Sequence, residues 1–401
     1  MESNYDVVII GAGPAGGQCA RELAAKGKKV LLVEKAKDFA INNYSSGGAP
    51  AEILNDYSLP QNIVGSVWNK IALHTSTRKH EWEDPSYQGV VLDFMKLRTF
   101  LAEQVKAHGS HVLLNQSYHH HDKRNGKTYV YLRDVQSSEI KTVETKVLVD
   151  ATGAERKVLQ QGKPDKKQTL AITGIEYLIE AEPEQYQRYA KTLSFFLGLK
   201  WMPQGYSWIF PMEENQLKIG VVRYFAHDII VPHEPSYRFY LDHMLEHCLH
   251  KKDPPILDTH GKTLLYTVGQ NESTHEGNVI AIGDAISTLN PMASEGIRHA
   301  MYSGKASAKY ILEYLGGKHN SFSGYAKEMR QYFGLRWKTS EFVMNRMYRE
   351  KKDQKLENYA DAFSQLTFDE MLEFTFKYRL KTIIKFFWNF VKLRLGKKGN
   401  R

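Results

Sequence analysis

Cysteine is nearly absent from this sequence: Cys19 and Cys248 are the only two in 401 residues, far apart and in no CxxC spacing. That excludes a disulfide scaffold and a cysteine-rich zinc site, and a reducing, cytoplasmic compartment is the expectation. Long apolar runs are missing too. No stretch of about 18 residues is both apolar and uncharged, so no membrane-spanning helix is expected. Asp6 stands where a signal peptide would need its apolar region. Acidic residues are missing from residues 374–401, where Lys377, Arg379, Lys381, Lys385, Lys392, Arg394, Lys397, Lys398 and Arg401 place nine positive charges. Those nine equal the whole formal net charge of +9, so the remainder is neutral. The basic balance describes a tail, and no nucleic-acid surface is expected. Repeats and low-complexity linkers are absent. What is present is 42% hydrophobic and 25% charged residues, enough for a globular core, over a length that suits two joined domains and a smaller third piece.

The first 35 residues have the texture strand, tight turn, helix, strand. Val7 to Ile10 is a continuous β-branched run, as in a strand buried on both faces. Ala20, Leu23 and Ala24 give the following helix a small apolar face, Gly27 closes it, and Val30 to Val33 form the next strand. Residues 92–108 have a helical pattern. Residues 111–149 read as a β-meander with a hairpin turn at Arg124 to Lys127, and "VLVDATGAE" as a buried strand ending in a glycine turn. From 168 to 268 short alternating strands suggest an antiparallel sheet, crossed by a helical stretch at 185–198. "GNVIAIGDA" returns to strand, turn and helix, with a helix expected from Glu295 to Leu315. The last 80 or so residues read as mostly helical.

Gly11, Gly13 and Gly16 form GxGxxG between a strand and a helix. The first glycine permits the tight turn, the second lets backbone approach a pyrophosphate, and the third lets helix pack on strand. The helix N-terminus offers free N–H groups to phosphate. Glu34 ends the second strand roughly 20 residues on, where a carboxylate accepts ribose hydroxyls. Gly11, Gly13, Pro14, Ala15, Gly16, Glu34 and its neighbour Lys35 are therefore candidate dinucleotide-binding residues. The motif alone does not separate FAD from NAD.

A distant segment does. "GNVIAIGDAISTLNPMASEGIRHAMYSG" is similar to the second FAD fingerprint of glutathione-reductase-like flavoproteins with a hydroxylase-type fold. The resemblance implies that Asp284 meets the ribityl chain and that Gly296 and Ile297 place a helix N-terminus at the pyrimidine end of the flavin. "VDATG" matches the third element of that fold. Within the superfamily, Tyr206-Ser-Trp208-Ile-Phe210-Pro211, followed by a strand containing Gly220, resembles the signature of the geranylgeranyl reductase family. "SSGGAP" stands where that family has a glycine-rich loop beside the flavin, with Ser46 at its cysteine position and Gly47 next to it. The fold implied is α/β: a Rossmann-like FAD-binding domain with an inserted antiparallel β-sheet substrate domain and a C-terminal helical region. The expected segments are 1–166 and 273–318 for FAD, 167–272 for the substrate, and 319–401 for the helices.

The family has an aromatic strand walling an apolar cavity over the flavin, so Tyr206, Trp208, Phe210 and Pro211 are candidate substrate-binding residues for an isoprenoid or similar lipid. Plain core packing of the rings is the rival reading. Tyr206 is a candidate proton donor. The sequence departs from the family at Ser46, at Ser294 and at Val222, where glycine is usual for the last two. The superfamily's arginine at the start of the helix near 94 is Phe94 here, with Arg98 one turn on. NADPH or another electron donor is left open, as are substrate identity, oligomeric state and a catalytic residue. Rival functions are a flavin monooxygenase or halogenase of the same fold and a non-enzymatic lipid- or quinone-binding flavoprotein.

Two further stretches have competing readings. His119 to Asp122 would alternate faces on a strand, with His120 turned away from His119 and His121, which disfavours a metal site. Cys19 reads as a buried, inert thiol. In the tail, Lys381, Lys385, Asn389 and Lys392 form one stripe, with Leu380, Ile383, Ile384, Phe387 and Val391 opposite. A basic amphipathic helix with bulky rings suggests a membrane-surface anchor; packing on the body is the alternative.

Overall fold

The structure, a computed structural model, describes residues 3–41, 43, 45–162, 169–224, 235–251 and 253–399. The segment boundary expected at 166/167 and the basic Arg401 lie outside the described residues.

The strand Asn4–Ile10 lies parallel between Val30–Val33 and Ile140–Asp150, and His111–Leu113 and Val279–Ala281 extend the sheet in parallel on the two sides. Its residues Val7, Val8 and Ile9 are fully buried, as their unbroken apolar run requires. The crossover helix Pro14–Ala25 begins with proline at its first turn and buries Ala20, Leu23 and Ala24. The strands Gln116–Arg124 and Lys127–Asp134 form an antiparallel hairpin continuing from Ile140–Asp150. Asn125 and Gly126 turn it with positive φ at both positions, the geometry a two-residue hairpin needs. The ladder slips at Tyr131/Leu132, leaving His119 unpaired opposite it. This bulge breaks the expected alternation: His119 and His120 come within 4.9 Å, centroid to centroid, and His120 stacks on Tyr131.

The second sheet has seven strands in the order Ile256–Thr267, Thr169–Glu180, Gln216–Arg223, Gly205–Pro211, Thr192–Phe196, Lys70–His74, Lys79–Glu83. It is antiparallel except where Thr192–Phe196 runs parallel to Lys70–His74. Two corrections follow. The sheet is not confined to 167–272, because its last two strands come from residues 70–83. The helix expected at 185–198 shrinks to Pro183–Gln187, and Thr192–Phe196 is a strand. The preceding residues 185–191, with Gln, Arg, Ala and Lys, favour helix locally, but pairing of Thr192–Phe196 on both sides with buried neighbours wins.

The helix Ile297–Leu315 packs on Pro14–Ala25 at very short range. A Cβ on Gly304 would stand 2.3 Å from the carbonyl oxygen of Ala15, so only glycine fits. Ser307 Oγ reaches Cys19 Sγ at 3.3 Å in the same contact, and burial pushes the Cys19 thiol up to about 12. The C-terminal helices Ser323–Tyr348, Asp353–Phe363, Phe368–Leu372 and Leu380–Gly399 complete the described chain. No described helix is long and apolar enough to cross a membrane.

Candidate functional site

One cleft runs between the sheet of Asn4–Ile10 and the seven-stranded sheet, with about 1810 Å³ of empty space including the solvent at its mouth. At one end lies the glycine turn. Gly11 has φ +108°, and a Cβ there would meet the Ala151 carbonyl oxygen at 2.3 Å; one on Gly16 would meet Gly11 O at 1.9 Å. Gly13 has nothing within 4 Å of a Cβ position, and the helix it precedes has no side-chain cap. The turn is thus closed where it packs and open where a phosphate would approach the helix N-terminus. Gly11, Gly13, Pro14 and Ala15 line the cleft; Gly16 supports it from behind.

Glu34 also lines the cleft. Its two oxygens accept the backbone N–H groups of Ala12 and Ala36, each at 3.0 Å, and each keeps a further lone pair for a ribose hydroxyl. Lys35 ion-pairs with Glu155 across the same edge. Asp150, fully buried, accepts from Thr152, Val158 and Leu159 and fixes the loop after its strand. Arg98 lines the cleft as well. It donates to the carbonyls of Phe39 and Ile41 and lies over the Phe94 ring, while its buried Nε has no hydrogen-bond partner among the described residues. That donor would be satisfied by a cofactor oxygen.

Toward the middle, Asp284, Gly296 and Ile297 line the cleft, and burial raises the Asp284 carboxyl. Ser45 and Ser46 face them; Gly47, φ +75°, sits behind, where a Cβ would strike Leu92 O at 2.4 Å. The loop 292–294 is held by three tyrosines: Tyr206 donates to Ala293 O, and Tyr224 and Tyr348 donate to Met292 O, all at 2.8 Å. Ser294 adopts φ +52°, the left-handed conformation that explains a glycine at this family position, and its hydroxyl is 2.7 Å from that of Tyr224.

The far end is the seven-stranded sheet, whose register arranges side chains in rows. Tyr206, Val222, Gly174 and Lys262 stand opposite one another on four adjacent strands, and all line the cleft. The next row is Trp208, Gly220, Glu176 and His260. A Cβ on Gly220 would fall 2.0 Å from Cζ2 of Trp208. Glycine therefore lets the indole lie across the neighbouring strand, where its Nε1–H donates to Glu176 Oε2 at 2.8 Å. Ile172, Leu264 and Leu289 add apolar lining. Tyr206 and Trp208 thus form a cleft wall. Phe210 and Pro211 do not line it: Phe210 packs edge-on against Phe195, and Pro211 O accepts from Ser66. Tyr206 is not placed to give up its proton, since it is committed to Ala293 and burial raises its pKa.

Glu176, His260, Lys262 and Lys218 are functional candidates that sequence reasoning misses. Lys218 is buried and donates to Ser45 O at 2.6 Å, tying the sheet to the loop of Ser46; burial lowers its pKa. They lie on three different strands, and only strand register, which no local motif encodes, brings them together.

The open cradle at Gly13, the acid at Glu34, the unpartnered Arg98 Nε and the buried Asp284 fit FAD. Residues 4–331 match the family described as FAD binding domain. The chain is 26% identical to a digeranylgeranylglycerophospholipid reductase of Haloferax volcanii over 77% of this chain and 76% of that one. It is 25% identical to another of the same name from Methanosphaerula palustris over 92% of both. A geranylgeranyl bacteriochlorophyll reductase-like protein from Thermoplasma acidophilum shares the fold with a TM-score of 0.81 at 21% identity, covering 96% of each chain. With an open glycine turn, a strand-end acid and an aromatic wall around one cleft, the chain belongs to the FAD binding domain family and is an FAD-dependent oxidoreductase of geranylgeranyl reductase type.

Proposed function

We propose that the protein reduces carbon–carbon double bonds of an isoprenoid chain presented at a membrane surface. The observation that carries the reading is the continuity of the cleft: the polar dinucleotide end at Gly13 and Glu34 opens without a partition into a wall of Tyr206, Trp208, Val222, Ile172 and Leu264. Such an apolar, aromatic-lined cleft suits an alkene chain, and a few polar groups suffice to orient it. The two relatives above are named as reductases of a geranylgeranyl lipid, which supports the same substrate class here. Bound FAD supplies hydride-transfer chemistry. This chain's residues would hold it through the glycine turn, Glu34, Arg98 and Asp284, while the sheet shields the reacting carbons from water.

The membrane part rests on the C-terminal helix. Leu380, Ile384, Trp388, Val391 and Leu395 are exposed large apolar side chains on it, with Lys381, Lys385, Lys392 and Arg394 also exposed. A helix with an exposed indole and exposed aliphatic side chains among lysines suits an anionic lipid surface. The experiment is extraction and mass spectrometry of the lipid that copurifies with the yellow protein. An unsaturated polyprenyl lipid is expected; consistent recovery of a small aromatic compound instead would replace the reading by that of a hydroxylase.

A further inference from the structure

The Trp208 row ends in a titratable chain that leads out of the cleft. Glu176 Oε1 is 3.3 Å from His260 Nε2, and His260 Nδ1 is 3.3 Å from Asp258 Oδ2. Side-chain exposure rises along this line: 6% for Glu176, 14% for His260 and 45% for Asp258. His260 lines both the main cleft and a small surface cavity bounded by Phe94, Lys218 and Asp258. The imidazole is thus the wall between solvent and the substrate end of the cleft.

We infer that Asp258, His260 and Glu176 form a proton relay that delivers the proton of each double-bond reduction to the alkene. The inference rests on the reductase reading above. Reduction of one C=C breaks the π bond and forms two C–H bonds. One carbon receives a hydride, with its electron pair, from reduced flavin; the other receives a proton from the Glu176 carboxyl, which is left as carboxylate. His260 Nε2–H refills Glu176, and water refills Nδ1 through Asp258. No further oxidant or reductant is needed, and imidazole suits the task because it accepts at one nitrogen while donating at the other. Trp208 Nε1–H holds the second Glu176 oxygen, so the carboxyl is fixed beside the aromatic wall. Among the described residues, the other charged groups around the relay are Lys218 on the strand Gln216–Arg223, Lys262 two residues beyond His260 on its own strand, and Asp93 and Glu213, which line the small cavity together with His260 and Asp258.

The test uses the flavin-loaded full chain and two variants, Glu176→Gln and His260→Asn. Glutamine keeps an acceptor for Trp208, and flavin content reports the fold of each variant. Single-turnover reduction of a digeranylgeranyl phospholipid in vesicles, without oxygen, should slow by about 10²–10⁴-fold in both variants, the usual worth of general acid catalysis. Reduction of the flavin itself should keep its wild-type rate. A second readout needs no turnover: the Trp208 indole N–H resonance of the wild type should shift when the pH is changed, because its acceptor Glu176 belongs to the relay. That shift should vanish in both variants. Wild-type turnover in His260→Asn, or a pH-independent Trp208 resonance in the wild type, overturns the relay and leaves the reductase reading standing. A wild type whose Trp208 resonance responds to pH but which reduces no lipid overturns the reductase reading, and with it the alkene as proton acceptor.

Discussion

At the scale of single residues, Gly220 decides what the aromatic wall can do. Its missing Cβ is the space in which the Trp208 indole lies, and that position lets Nε1–H reach Glu176 two strands away. Gly220→Ala should destabilise the protein by about 1–3 kcal/mol, the usual cost of overpacking, and reduce lipid turnover through a displaced indole. Urea unfolding and turnover on the same preparation check this; a variant with both values unchanged would contradict the close packing. Trp208→Ala separates wall from core: flavin absorbance should be retained while lipid turnover falls. Loss of both would mean that the ring serves mainly to pack the core, with a cost of roughly 3–5 kcal/mol. Gly11, Gly13, Gly16 and Glu34 are readable in the sequence because the glycine turn and the strand-end acid are a local object whose parts lie within one strand–helix–strand unit. Glu176 and His260 are not readable, because 84 residues separate them and only the pairing of Thr169–Glu180 with Ile256–Thr267 sets them side by side.

At the scale of elements, the C-terminal helix shows what helical periodicity conveys and what it leaves out. Its sequence shows an apolar stripe, but the structure divides the apolar residues into two groups. Ile383, Phe386 and Phe390 are buried, with Phe386 and Phe390 stacked on Tyr359; Leu380, Ile384, Trp388, Val391 and Leu395 are exposed. Body packing and an outward apolar face therefore coexist on one helix, where the sequence poses them as alternatives. The two faces separate experimentally. Phe386→Ala should cost about 3–5 kcal/mol of stability. The triple change Ile384→Ser, Trp388→Ser and Leu395→Ser should leave the unfolding midpoint within experimental scatter yet abolish co-sedimentation with anionic vesicles. For the unaltered protein, the part of that binding due to lysines should weaken as salt rises, since the Debye length falls to about 3 Å at 1 M. Equal sedimentation of wild type and triple variant would remove the membrane assignment. The strand Thr192–Phe196 carries the converse lesson: its neighbours up to Lys191 have helical composition, and a parallel partner 122 residues earlier, as in Ser194 with Ala72, overrides it.

At the scale of the whole molecule, the segment 283–315 and the C-terminal helices share several hydrogen bonds, one of them to a buried carboxylate. Glu295 accepts from Arg298 at 2.7 Å, lies 3.3 Å from His299, and accepts from Tyr378 Oη at 2.6 Å. Burial alone would raise its pKa, but Arg298 and His299 overcome burial and hold it well below the usual carboxylate range. The sign follows from proton linkage. Below about pH 4.3, the ordinary glutamate value, the unfolded chain takes up a proton that the folded one still refuses. The stability due to Glu295 is therefore fully present above that value and is lost as pH falls toward the folded pKa. Glu295→Gln should lower stability at pH 7, because Arg298 keeps its burial and loses its charge partner, and should flatten the acid side of the stability curve. Urea midpoints across the acid range read both effects, and an acid limb of unchanged slope would remove Glu295 from the account.

If one cleft joins FAD to an unsaturated lipid chain, an anaerobic reaction should show it. The purified yellow protein, its flavin reduced chemically and the excess reductant removed, is mixed with vesicles containing a digeranylgeranyl phospholipid, and flavin absorbance and lipid mass are followed together. The flavin should return to its oxidised spectrum without oxygen while the lipid gains two hydrogens per flavin. A flavin that stays reduced until oxygen is admitted, with a hydroxylated or unchanged lipid as the result, would contradict that link between FAD and lipid.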